Sequence, residues 1–203
     1  EAREIEASSR FYEEDGGTFM TTSIIYFPDK TTPTTGSVTF ILKESRLVTV
    51  RYVEPRAFPV FASRAEKGAV SCNSGGTVMI GLIETIVDRT ADVIERIQDD
   101  VEKLTHNVFN LNTQRRDSSR RLDVLLRSTG KEGDLVARVL ESATSLDRTM
   151  HFFREAARDR GFDPRVLERL SIAQRDNHSL MEHTRFLTNR ISFLLEATLG
   201  MIS

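Results

Sequence analysis

The sequence holds a single cysteine, Cys72. That excludes an internal disulfide framework and a cysteine-based zinc site, and it fits a reducing compartment. Nowhere do about 18 apolar residues follow one another, so no bilayer-spanning helix is expected within these residues and the chain reads as soluble. Nothing in these residues reads as a secretory signal peptide, and none is expected. The four histidines are scattered, and no Ser or Cys stands in a context that would activate it. No nucleophile–base set can be assembled, so an enzyme is not expected. Nor is there an excess of either charge. With 28 basic and 30 acidic residues the net charge is −2, which gives no global drive towards nucleic acid or anionic lipid. Beyond Gly76 proline all but disappears, Pro164 being the only one.

What is present is charge and periodicity. Charged residues make up 29% of the chain and hydrophobic residues 39%, a balance expected of long helices that expose more than half of their surface. The first 15 residues read as the end of a helix, with Gly16-Gly17 as a turn. Three strand-like runs follow at 18–27, 37–44 and 46–53, rich in β-branched and aromatic residues. The polar loop "PDKTTPTTG" separates the first two, and Glu44-Ser45-Arg46 has tight-turn spacing. "PRAFPVFASRAEKG" is expected to be a short helix closed by Gly68. "NSGGT" (73–77) could cradle an anion, but it lacks a Gly-Lys-Ser/Thr ending and reads as a helix cap. Residues 1–75 thus predict a small α/β head with a mixed sheet, one edge of which would lie in sequence preceding Glu1.

After Gly76 the strand signals vanish. Ile94, Ile97, Val101, Leu104, Val108 and Leu111 step alternately by three and four, a heptad seam that predicts a long helix packed on another. "NTQRRDSSRR" (112–121) has four arginines and no apolar residue and reads as the solvated tip of a hairpin. The return helix is expected from about Arg120 to Arg160. Gly130 and Gly133 allow either a turn there or a continuous, weakened helix. At "RGFDP", Gly161 closes one helix, Asp163 can cap the next and Pro164 sits at its first position. The expected class is therefore mostly α: the α/β head (1–75), a long antiparallel coiled-coil-like hairpin (76–160) and a last helix (161–203), about 60 Å long at 1.5 Å per residue.

At 100° per residue, Glu182, Arg185, Asn189, Ser192, Gly200 and Ser203 fall within roughly 40° of Glu196. Leu180, Leu187, Ile191, Leu194, Thr198 and Met201 lie opposite, and Leu195, Leu199 and Ile202 widen the apolar face. Such a narrow polar stripe meets water either outside a bundle or along a water-filled axis inside one. The acidic side of the first long helix, from Asp88 to Glu102, reads as a solvated face. His178 and His183 point about 140° apart, which argues against zinc.

The order of elements, with "EIEASSRFYEEDGG", "TFMTTSIIYF", the heptad hairpin and the terminal "FLLEATLGMIS", resembles the cytoplasmic domain of CorA-type magnesium channels. The Gly-Met-Asn motif of that family is absent, as are its first strands, so the chain is expected to be a fragment. The resemblance implies a stalk helix that runs on into a first transmembrane segment, with five stalks around an ion path. It implies a cytosolic, cation-sensing regulatory domain at the cytoplasmic face of the inner membrane, gating the pore through Mg²⁺ bound weakly between subunits, with Co²⁺ or Zn²⁺ as other candidate ions. By the same resemblance Glu196, Gly200 and Ser203 would line the conduit. Asp29, on the loop after a long strand, would face a stalk acid of a neighbouring subunit. Asp176 is the nearest acid, about one turn from the best-aligned position, Ala173. The expected partners are further copies of the chain, a homopentamer in the whole protein and a monomer or dimer as a fragment, and divalent cations. No nucleic acid is expected, and membrane only through the missing C-terminal segments. A zinc or other divalent-cation transporter of the same superfamily, or a stand-alone coiled-coil adaptor, are the other readings.

Overall fold

The structure, a computed structural model, describes residues 10–29, 32–110 and 118–202. Four strands form one sheet in the order β1 (Phe11–Glu14), β2 (Gly17–Tyr26), β3 (Thr34–Lys43), β4 (Arg46–Arg51), antiparallel throughout. A mixed sheet was expected. A simple meander forms instead, because each strand is joined to the next by a short connection that can only reverse direction. The expected N-terminal helix does not extend over residues 11–14, which are strand; residues 1–9 lie outside the described residues. The turn is Asp15-Gly16, both at positive φ (48° and 71°). This is the two-residue hairpin whose twist matches that of the strands, and Asp-Gly is among its preferred sequences. Glu44, at φ 52°, opens the similarly tight β3–β4 turn.

Helix α1 (Ala57–Glu66) ends as expected before Gly68, at φ 69°. Helix α2 (Gly75–Phe109) starts at Ser74, whose side chain accepts from Thr77 N while Thr77 Oγ1 accepts from Ser74 N, a reciprocal cap. Its first turn lies against the β3–β4 turn: Gly75 N donates to Ser45 O at 2.6 Å. Helix α3 (Ser118–Asp159) runs unbroken through Gly130 and Gly133. It closes with a Schellman pair, Phe162 N to Ala157 O and Gly161 N to Arg158 O, with Gly161 at φ 62°. Asp163 Oδ1 accepts from Arg165 N at 2.9 Å and caps α4 (Pro164–Ile202).

Two cores hold these elements. In the first, Met20, Ile24, Val38, Phe40 and Leu42 of the sheet meet Ile80 and Ile83 of α2, Met150 and Phe153 of α3, and Leu170 of α4. The second is a three-helix bundle: Ile94, Ile97, Val101, Leu104 and Val108 of α2 pack with Leu135 and Val139 of α3 and Leu187, Ile191 and Leu194 of α4. The α2 seam is therefore closed within the chain by two helices rather than one, and Leu194, on the apolar face of α4, is fully buried. Leu111 lies outside the described residues.

Candidate functional site

The last helix sorts its side chains as the periodicity requires. Leu187, Ile191, Leu194 and Thr198 are buried against α2 and α3, whereas Glu182, Arg185, Asn189, Ser192, Glu196 and Gly200 are all exposed. Nothing lies within 4 Å of a Cβ built on Gly200. Ser203 is outside the described residues. The polar stripe therefore faces away from this chain's own bundle over about five turns. Apolar side chains flank it: Phe186 and Phe193 are 60% and 57% exposed, and Leu199 is 50% exposed. Leu199 thus departs from the expected buried face, since α2 and α3 cover only one side of α4. Phe193 stacks on Phe109 of α2, ring centroids 6.2 Å apart, which places the end of α2 beside the C-terminal third of α4.

Asp29 stands in the β2–β3 loop and is exposed. Its carboxylate accepts from Thr32 N at 2.6 Å and Thr32 Oγ1 at 2.7 Å, the arrangement of a side chain that holds its own turn. Asp176 is exposed on α4, and Ala173, one turn earlier, is 97% buried in the first core, where an acid would have no water. No three His, Cys, Asp or Glu residues among the described residues converge to hold a metal ion. Among the described residues Mg²⁺ thus finds no cluster of three such side chains within the chain. That does not fit a cage for the ion built from one chain's described residues. His178 faces Glu182 at 3.7 Å while His183 packs edge-on to Phe186, so the two histidines do not meet at one point. Cys72 is a free, exposed thiol.

The acidic side of α2 is a solvated face. Asp92 pairs with Arg89 (2.9 Å), Asp100 with Lys103 (2.8 Å) and Asp88 more loosely with Arg64 (3.8 Å). Two groups escaped the sequence reading because only packing makes them unusual. Glu132 on α3 is half-buried with Oε2 enclosed and unpartnered. Burial, and then the nearby Asp100 charge, push its carboxyl above the ordinary range, while Arg96 opposes them. Arg169 of α4 meets Glu84 of α2 through a two-pronged contact, Nε to Oε1 at 2.8 Å and Nη2 to Oε2 at 2.5 Å. That bond first, and the Glu84 charge, hold the guanidinium above its usual range against the effect of burial.

A strand meander joined to a three-helix bundle, with the last helix keeping an unbroken polar stripe on its outer side, defines the class of fold. It is the fold of the soluble domain of CorA from Methanocaldococcus jannaschii, similar to this chain with a TM-score of 0.72 at 14% identity over 95% of this chain and 74% of that one. The full-length CmaX protein is similar with a TM-score of 0.66 at 16% identity, over 98% of this chain and 58% of that one. Residues 1–203 match the family described as CorA-like Mg2+ transporter protein, and the chain belongs to that family. Among its relatives are the proteins named magnesium transport protein CorA of Pasteurella multocida (29% identical over 204 residues) and Haemophilus influenzae (30% over 205). Each alignment takes in all of this chain and 62% of the relative, so the chain spans under two thirds of their length. No helix among the described residues is long and apolar enough to cross a membrane.

Proposed function

We propose that this chain is the cation-sensing regulatory part of a magnesium channel, a non-enzymatic domain at the cytoplasmic face of the inner membrane, where α4 leads into membrane-spanning segments. The observation that carries this reading is the outward polar stripe of α4, set on a chain of this family. In a ring of five copies the stripes would face one another around a water-filled axis. Glu196 would form a ring of carboxylates that raises the local cation concentration, and Gly200 and Ser203 would continue the conduit. Phe186, Phe193 and Leu199 flank the stripe, where neighbouring stalks would cover them. Burying a Phe side chain contributes about 1.5–3 kcal/mol.

In this reading Asp29 and a neighbour's stalk acid, Asp176 here, share a hydrated Mg²⁺. An ion held only by the symmetric assembly stabilises that assembly by mass action, about 2.7 kcal/mol at a hundred times its dissociation constant. Loss of the ion leaves like charges facing each other, loosens the ring and opens the path, a negative feedback on magnesium entry. Affinity is low because each chain offers one carboxylate. Co²⁺ or Zn²⁺ would compete for the same oxygens.

The test is sedimentation and melting of the chain in tens of millimolar MgCl₂ against NaCl of equal ionic strength, which separates binding from screening. Mg²⁺ should promote association and raise the melting temperature. Asp29→Asn keeps the Oδ1 acceptor for Thr32 but removes the charge, and should abolish the Mg²⁺ response. If Asp29→Asn and wild type respond alike, Asp29 is a turn residue only.

A further inference from the structure

Between the end of β2, the start of α1 and the middle of α2 lies a cavity of about 390 Å³, within the size range of small-molecule sites. Its apolar walls come from Ile24, Ala57, Ile86 and Val93. Its charges are unbalanced: Arg56, Arg89 and Arg96 line it against one acid, Asp92. Asp92 is already engaged by Arg89 Nη2 at 2.9 Å. Arg89 Nε is buried and has no acceptor among the described residues, an unfavourable state for a guanidinium N–H; about two fifths of the side chain is still exposed, and it lines the cavity. Arg96 lies over the Phe27 ring at 4.9 Å, which holds that guanidinium at the cavity wall. Arg56 precedes α1 without capping it by its side chain, so the positive end of that helix dipole adds to the same field.

From these features together we infer that this cavity binds a small organic anion, a carboxylate or phosphate carried on a flat apolar body. The guanidiniums would take the anionic head, since the arginine fork matches two oxygens of one group. The aliphatic walls would take the body, which excludes bare inorganic anions and metal cations as its natural occupants. The site is separate from the α4 stripe and from Asp29, and it does not depend on the channel reading. Bound ligand would tie α1 and the end of β2 to α2 and so stiffen the head against the bundle.

The experiment is calorimetric titration of the full chain at 0.15 M NaCl with three probes: salicylate, inorganic phosphate and benzyl alcohol. Backbone chemical-shift mapping, as a second readout, locates any binding. Salicylate should bind saturably, one per chain, and move the amide signals of Thr90 and Val93. Phosphate and benzyl alcohol, each carrying half of the required chemistry, should bind at least tenfold more weakly. Arg89→Gln should weaken salicylate at least tenfold. Arg56→Gln, an exposed change that leaves the core untouched, should weaken it severalfold. The inference is overturned if no probe saturates, if phosphate binds as tightly as salicylate (a charge patch), if benzyl alcohol does (an apolar cleft), or if both arginine variants bind like wild type.

Discussion

Ser142 Oγ, on α3, accepts the backbone N–H of Ile25 of β2 at 3.0 Å inside the protein. One turn further along α3, Ser145 Oγ does the same for Ser23 N at 2.8 Å. β1 pairs with β2 only from Gly17 to Met20. Thr21 N still reaches Arg10 O beside β1; beyond it the helix serines take the donors that a longer strand would have taken, and α3 covers the sheet edge. Removing the oxygen at Ser142 leaves a buried donor unsatisfied, so Ser142→Ala should cost about 1–3 kcal/mol in urea unfolding. Ser145→Ala should cost less, since that site is only partly buried and water can replace the hydroxyl. Equal and negligible losses would show that the strand edge does not depend on α3.

Two glycines in helices should respond in opposite directions. A Cβ on Gly75 would lie 2.7 Å from the carbonyl carbon of Arg46 and 2.8 Å from its oxygen. This is backbone that cannot rotate away, so Gly75→Ala should destabilise by about 1–3 kcal/mol as the β3–β4 turn is pushed from α2. At Gly130 a Cβ meets nothing within 4 Å. Gly130→Ala should therefore gain up to about 1 kcal/mol from helix propensity alone. Thermal melts of both variants decide it.

Glu132 predicts a pH dependence. Its folded pKa is raised, by burial first and by Asp100 second, so the folded state holds this proton more tightly than the unfolded chain does. The stability linked to it is fully present below the unfolded value near 4.5. It is lost as pH rises through the raised folded value. At neutral pH the enclosed carboxylate is a burden that Glu132→Gln removes. The variant should melt higher than wild type at pH 7, with the difference shrinking towards pH 4. A loss of equal size at both pH values would mean that shape, not charge, governs this position.

Arg169 and Glu84 are each about one-third exposed, and their two parallel bonds make this the tightest link between α4 and α2 among the ion pairs described. A double-mutant cycle with Arg169→Ala and Glu84→Ala should give a coupling of about 1 kcal/mol, at the upper end for partly solvated pairs. Arg169→Lys should recover only part of it, because an ammonium cannot present a fork. Coupling indistinguishable from zero would make the pair a surface accident.

Wherever a local physical rule decides the outcome, the residues announced it. Gly161, Asp163 and Pro164 end one helix and begin another because φ preference, a capping carboxylate and a missing N–H each act within a few residues. The heptads of α2 and the stripe of α4 were legible because helical periodicity sorts side chains whatever they pack against. The first hairpin was not: a helix over 1–15 with a turn at Gly16-Gly17 was expected, whereas Phe11–Glu14 is a strand turning at Asp15-Gly16, because pairing with β2 buries Met20 and stacks Phe11 on Phe152.

By itself the sequence determined the strand runs of β2 to β4, the four helices and the polar face of α4, all consequences of interactions within a few residues. Only the tertiary structure decided what covers each face. The α2 seam is shared between α3 and α4, Leu194 is hidden while Phe193 is left out, and two serines of α3 complete the edge of β2. Arg56, Arg89 and Arg96, which look like ordinary surface charge in a sequence of near-neutral balance, come together around one cavity. Contacts of this kind join residues far apart in the chain, and apolar burial has no direction, so periodicity says that a face is covered without saying by which partner.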